Sequence, residues 1–286
     1  NRVWDIPLMY AKKSLGQHFL RCGWVTQTLI EAASLAKTDT LLEIGPGTGV
    51  LTRELARHAK EVVAIEKDEK LADALADALA REEITNVRII KGDILWLQLP
   101  QTKFGAEDDL NLVWGKNKSG YKVVANIPYY LTSRLLRLLL GGEPRPERIV
   151  LTIQKEVAER IVAKPPHMNL LALSVQAFGA PEIIKNVPAS CFTPKPDVDS
   201  AIIRIAEISD RFFMENRTDP ADFFGFVRRG FSQKRKQLLN TLKGEGETPK
   251  KTVADALIRL GLSPNARPEE LSLQNWADLA KKIPQN

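Results

Sequence analysis

Residues Thr40–Gly49 read TLLEIGPGTG. The first five are a short apolar run, and the next five hold three glycines. An apolar run of that length bounded by glycines reads as a buried β-strand. Glycine lets the backbone adopt dihedrals other residues avoid and approach a ligand closely. Beyond the glycines a helix is expected over about 49–59. A strand, a glycine loop and a helix form the opening of a doubly wound α/β sheet.

The pattern repeats outward. EVVAIE (Glu61–Glu66) is a second strand, and 68–82 is an alanine- and leucine-rich helix. VRIIK (Val87–Lys91), YKVVA (Tyr121–Ala125) and IVLTIQ (Ile149–Gln154) are further strands, with helices expected near 24–36, 131–140 and 155–162. LALSVQAF (Leu171–Phe178) and SAIIRI (Ser200–Ile205) read as the last two. Strands alternating with helices argue for a parallel sheet covered on both faces. Residues 98–120 interrupt the rhythm and read as an inserted surface loop. After about 208 only helices are expected, at 219–231, 234–243, 250–260 and 272–283. The expected division is therefore 1–207, with a basic arm over 1–20, and an all-helical 208–286.

The totals narrow the function classes. At 286 residues and 44% hydrophobic the chain can build one large domain and a small one. Lysine and arginine outnumber acids 41 to 35, for a net charge of +6, which suits a polyanionic partner. The apolar runs are too short to span a bilayer. Cys22 and Cys191 lack metal-ligand spacing and do not suggest a disulfide framework, so a reducing cytoplasm is expected. With His18, His58 and His167 they make no metal site; His58 and His167 are read as surface residues.

The glycine loop has two readings. A dinucleotide fingerprint would need a third glycine where Val50 stands. The loop instead resembles that of S-adenosylmethionine methyltransferases, which carry an acid two positions before the first glycine, here Glu43. Glu66, ending the second strand, would accept the ribose hydroxyls, and Asp93 the adenine amine. VVANIPYYLTS (Val123–Ser133) then ends a buried strand on a carboxamide, a proline and two tyrosines. An adenine amine is a poor nucleophile because its lone pair is delocalised. Acceptors on its hydrogens, from the Asn126 side chain and the Pro128 carbonyl, would help it pyramidalise beside a sulfonium. Such catalysis is positioning plus electrostatics. Tyr129 offers a flat face for an unstacked base.

Six stretches in order extend the likeness: KKSLGQHFL from Lys12, EIGPGTG from Glu43, NIPY from Asn126, QKEVAER from Gln154, FTPKPDVDS from Phe192 and GFSQKRKQLLN from Gly230. Together they resemble the small-subunit rRNA adenine dimethyltransferases. The resemblance implies a Rossmann-like seven-stranded methyltransferase domain with a helical C-terminal domain. It implies transfer of four methyl groups from S-adenosylmethionine to two adjacent adenosines near the 3′ end of 16S-type rRNA. Donor contacts fall on His18, Leu20, Gly45, Gly47, Glu66, Asp93 and Asn126, and Phe192 would face Tyr129 across the flipped base. Position 18 is Asn in some relatives, and KPPHMNLL (Lys164–Leu171) departs from the family's usual turn. The basic run Arg228–Lys243 holds Arg228, Arg229, Lys234, Arg235 and Lys236 without an acid; with Lys12 and Lys13 it would neutralise rRNA phosphates. The expected partner is the small-subunit precursor, bound by a monomer. Two other roles stay open: a resistance-type methyltransferase of large-subunit rRNA, and an assembly factor whose docking matters more than its chemistry.

Overall fold

The structure, a computed structural model, describes residues 16–96, 120–233, 235–243 and 250–283. The 98–120 loop (all but its last residue) and Lys12, Lys13 and Lys234 lie outside the described residues.

In chain order the elements begin with β1 (Phe19–Leu20), α1 (Gly23–Ala33), β2 (Thr40–Ile44), α2 (Val50–His58), β3 (Glu61–Glu66), α3 (Glu69–Arg81) and β4 (Val87–Lys91). They continue with β5 (Tyr121–Asn126), a 3₁₀ turn (Tyr129–Leu131), α4 (Thr132–Gly141), β6 (Arg148–Gln154), α5 (Lys155–Ile161), α6 (Leu170–Gln176), β7 (Ala180–Val187), β8 (Phe192–Thr193) and β9 (Ser200–Ala206). The helices that follow are α7 (Arg211–Asn216), α8 (Pro220–Gly230), α9 (Leu238–Thr241), α10 (Lys250–Arg259) and α11 (Leu273–Lys282).

Seven strands form one sheet in the order β4-β3-β2-β5-β6-β9-β7. β2 to β6 run parallel, and β9 lies antiparallel between β6 and β7. The central strands are apolar because helices cover both faces: Leu41, Val62, Val63, Val123, Val124, Ile149, Val150 and Leu151 are fully buried. Each such side chain contributes roughly 1.5–3 kcal/mol by leaving water. The chain reverses its direction of winding between β2 and β5. In open α/β sheets, ligands bind at the carboxyl ends of the strands at such a point.

Two secondary-structure expectations are corrected. LALSVQAF does not form a strand; Leu170–Gln176 is the helix α6. The Asn169 side chain caps it, accepting from the Ala172 N–H at 3.0 Å. The alternating pattern was that of a short helix burying Ala172, Leu173 and Val175. The strand in this region is the later APEIIKNV, β7. It lies at the edge of the sheet and is half exposed, so it lacks the apolar signature of a central strand and tolerates Pro181. Of the helix expected over 234–243 only Leu238–Thr241 forms, and Arg235 sits in a turn with φ 68°.

The cysteine reading is corrected as well. Cys22 and Cys191 are disulfide-bonded, with Cα atoms 5.1 Å apart. They stand 169 residues apart in sequence, and the small β1–β8 ladder brings them together. The Arg21 N–H donates to the Cys191 carbonyl at 2.8 Å beside the bond. Spacing along the chain carries no trace of that encounter.

The chain divides into two compact units, one built from residues up to Ala158 and Ala180–Ile208, the other from Glu159–Gly179 and residues from Ser209 onward. The second unit has its own core. Trp276 and Phe226 are buried and meet edge to face at 6.0 Å, and Phe178, Phe213 and Phe223 form a second aromatic group. A Cβ on Gly230 would come within 2.3 Å of the Trp276 ring, so the last turn of α8 closes on the indole only because that residue has no side chain.

Candidate active site

One pocket in the first unit is lined by the ends of β2, β3 and β5, by Asp93 and Ile94 after β4, and by Gly16–Leu20 from the arm. The glycine loop forms its floor. Gly47 has φ 56°, and its N–H donates to Glu66 Oε2 at 3.0 Å. A Cβ there would lie 2.9 Å from the Phe19 ring. Gly49 has φ 78° and caps α2, and a Cβ there would lie 2.2 Å from Leu75 Cδ1. The first glycine, Gly45, ties its N–H to the Ile65 carbonyl at 2.9 Å, joining the loop to β3.

Glu66 is buried at the end of β3. Its second oxygen accepts from the Asp68 N–H at 2.8 Å. Burial raises its pKa, and the backbone N–H groups of Asp68, Gly47 and Lys67 offset part of that rise. A carboxylate has about four acceptor positions, so two remain for a diol. Asp93 is less free than the sequence implied. Its Oδ2 accepts from Lys67 Nζ at 2.8 Å and its Oδ1 from the Leu95 N–H at 3.0 Å. The hydrogen bond to Asp93 is the main reason the Lys67 ammonium is raised above its ordinary value. Lys67 was not singled out from the sequence; its position directly after Glu66 was the available signal.

Glu43 is buried under the loop, and burial pushes its pKa up to about 8. The Thr52 hydroxyl beside it pulls the other way and the Glu66 charge adds to the rise, yet Oε2 has no well-formed hydrogen bond. At neutral pH the group is mostly a neutral acid.

Asn126 ends β5. Its Nδ2 donates to the His18 carbonyl at 3.0 Å. A carbonyl can only accept, so the amide nitrogen must face it, and the amide orientation follows. The oxygen is thereby left as the open acceptor of a pocket-lining side chain. The His18 ring is itself held: Nδ1 donates to the Pro194 carbonyl at 2.7 Å. The Pro128 carbonyl accepts from the Leu131 N–H at 3.0 Å, closing the 3₁₀ turn and leaving one lone pair.

The Tyr129 hydroxyl shares a 2.8 Å hydrogen bond with the buried Ser200 hydroxyl, and its ring stacks on His18 with centroids 5.7 Å apart. Burial raises its pKa. Phe192 is 2% exposed, paired with Leu20 across the β1–β8 ladder and packed in the core. Both line the pocket, Tyr129 half-buried and Phe192 buried. Leu20 is buried with them. Phe19 and Tyr130, which sequence reasoning passed over, also line it.

The basic residues lie in the second unit. Arg228 is exposed at the end of α8, whereas Arg229 is partly buried, its guanidinium 5.4 Å from the Phe226 ring and its Nε without a partner among the described residues. Arg235 and Lys236 are exposed. Among the described residues no group of three or more His, Cys, Asp or Glu is placed to hold a metal ion, and no helix is long and apolar enough to cross a membrane.

A seven-stranded sheet in this order, with a glycine loop, an acid after the second strand and an asparagine ending the fourth parallel strand, defines a Rossmann-like methyltransferase. The family model for ribosomal RNA adenine dimethylase matches residues 9–285. The chain belongs to that family. Curated relatives named ribosomal RNA small subunit methyltransferase A include one from Dehalococcoides mccartyi, 41% identical over 96% of this chain and 89% of its own. Another, from Anoxybacillus flavithermus, is 37% identical over 95% and 90%. Among solved structures, a dimethyladenosine transferase from Plasmodium falciparum aligns with TM-score 0.72 at 28% identity, over 92% of this chain and 96% of that one. The 23S rRNA methyltransferase ErmE aligns with TM-score 0.70 at 25% identity, over 93% and 100%. Methyltransferases of this family act on rRNA adenines, and their general methyl source is S-adenosylmethionine.

Proposed function

We propose that this chain transfers methyl groups from S-adenosylmethionine to the exocyclic amines of two adjacent adenosines near the 3′ end of small-subunit rRNA. The observation that carries the reading is Asn126, with its nitrogen engaged by the His18 carbonyl and its oxygen open beside the glycine loop. The pocket's chemistry fits the donor. Glu66 keeps acceptor positions for a ribose diol, Asp93 and the arm flank the adenine end, and Gly45 and Gly47 let the backbone close on the remainder. When bound, the donor supplies an electrophilic methyl on a positively charged sulfur. The Asn126 oxygen and the remaining Pro128 lone pair accept from the two amine hydrogens, drawing the nitrogen lone pair out of conjugation. No strong base is required, because the cationic product readily loses its proton. Fixed acceptors of this kind act by preorganisation.

Residues 208–286 serve as the rRNA-binding part in this reading, with Arg228, Arg235 and Lys236 contacting phosphates and Lys12, Lys13 and Lys234 extending the footprint. The protein works as a monomer on the late small-subunit precursor in the cytoplasm.

The test is tritiated methyl transfer to unmethylated small subunits and to naked large-subunit RNA, followed by nucleoside analysis. Dimethyladenosine in the first and none in the second is expected. The reverse result would move the protein to the resistance-type reading that ErmE's similarity keeps in view.

A further inference from the structure

Tyr129 and Tyr130 are neighbours in one 3₁₀ turn and line one pocket, but the structure treats them differently. Tyr129 is anchored at both ends, by Ser200 at its hydroxyl and by His18 at its ring. Tyr130 is 52% exposed at the pocket rim, and its hydroxyl has no hydrogen-bond partner among the described residues. Its flank borders the arm: a Cβ on Gly16 would meet the Tyr130 ring at 3.6 Å. A large aromatic left open at a pocket mouth is the chemistry that holds an unpaired base, because the ring stacks on any base face.

We propose that Tyr130 is a positioning residue, the platform on which the nucleotide adjacent to the target adenosine stacks while the target occupies the pocket. The proposal rests on the rRNA adenine reading above. A substrate with two adjacent adenosines needs a resting place for whichever is not reacting. Tyr130 directly follows Tyr129 in the same turn and lines the same pocket, whereas Phe192 is packed in the core.

The experiment compares wild type, Tyr130→Ala and Tyr130→Phe, measuring KM and kcat for unmethylated small subunits and the Kd of S-adenosylhomocysteine. A second set of subunits is reconstituted with an abasic site beside one target adenosine. Tyr130→Ala should raise KM about tenfold, the order expected for losing one base–aromatic stack. Tyr130→Phe should restore wild-type KM, because stacking needs the ring and not the hydroxyl. On abasic subunits the wild type should already show the raised KM, and Tyr130→Ala should add nothing. Loosened S-adenosylhomocysteine binding at unchanged subunit KM would make Tyr130 a wall of the donor cavity and overturn the proposal. A Phe variant as impaired as Ala would overturn it too, by assigning the effect to the hydroxyl. A wild type that methylates no small subunits defeats the parent reading and this one with it. A wild type that does so, with Tyr130→Ala unchanged, defeats this one alone.

Discussion

The glycine loop of the first unit and the basic run of the second were both conspicuous as strings of residues, and the structure treats them differently. The loop stands where its spacing placed it, between β2 and α2, with Gly47 and Gly49 in left-handed conformations and α2 beginning at Val50. The basic run does not form the expected helix over 234–243; Arg235 and Lys236 lie in a turn ahead of α9, and Arg229 packs on Phe226. A glycine motif encodes a backbone geometry that few alternatives satisfy. A run of like charges encodes only a preference for solvent, which many backbones satisfy.

The largest expected effect sharpens the first half of that contrast. Asn126→Ala should lower kcat for methyl transfer by about 10²–10³-fold, the usual cost of removing one preorganised polar group. Its affinity for small subunits should stay at the wild-type value. Full rescue of an assembly defect by this variant would show that docking outweighs chemistry.

Two glycines, one in each unit, test how far a motif signal tracks structural need. Gly49→Ala combines an unfavourable φ with a Cβ 2.2 Å from the buried Leu75, and should destabilise the protein by about 3 kcal/mol. Gly230→Ala meets Trp276 at 2.3 Å but keeps helical dihedrals and gains helix propensity, so about 2 kcal/mol is expected. Chemical denaturation of both variants gives the order. Equal losses would mean that left-handed strain adds nothing at Gly49.

Next comes a pH effect confined to the first unit. Glu43 has an ordinary pKa of 4.5 that burial raises to about 8, so between those values the folded state holds a proton that the unfolded state has released. Stability should therefore fall as pH rises through that window and level off above it, by roughly 2 kcal/mol after relaxation. Glu43→Gln should flatten the slope, as read from denaturation midpoints at pH 5, 7 and 9. A slope identical to wild type would show that the carboxyl is solvated.

The smallest effect belongs to the basic turn. Arg235→Ala with Lys236→Ala should weaken rRNA binding modestly and lower the salt slope by about one for each phosphate that is no longer neutralised. An unchanged slope would mean that these side chains face away from the RNA.

Much of the sheet was legible because buried parallel strands are apolar runs of fixed length, as β2, β3, β5 and β6 are, and β4 at the other edge still carries Val87, Ile89 and Ile90. β7 was not, because an edge strand has one side in water and carries Glu182, Lys185 and Asn186. α6 read as a strand because seven residues with small and apolar side chains fit either period, and the Asn169 cap decided between them. In the site, the residues at strand ends were found because strand ends are where such sheets hold ligands. The partners of those residues were not found.

Local order alone thus determined the doubly wound sheet, the glycine loop and the presence of Asn126, Glu66 and Asp93 at its rim, since each follows from periodicity or dihedral need within a few residues. Only the tertiary structure decided that His18 orients the Asn126 amide, that Lys67 occupies Asp93, that Tyr129 is anchored while Tyr130 is open, and that Cys22 meets Cys191. Most of these pairings join segments far apart in the chain, and even the contrast between the two neighbouring tyrosines depends on Ser200 and His18. Such partners are selected by packing, which leaves no periodic mark on the sequence of either one.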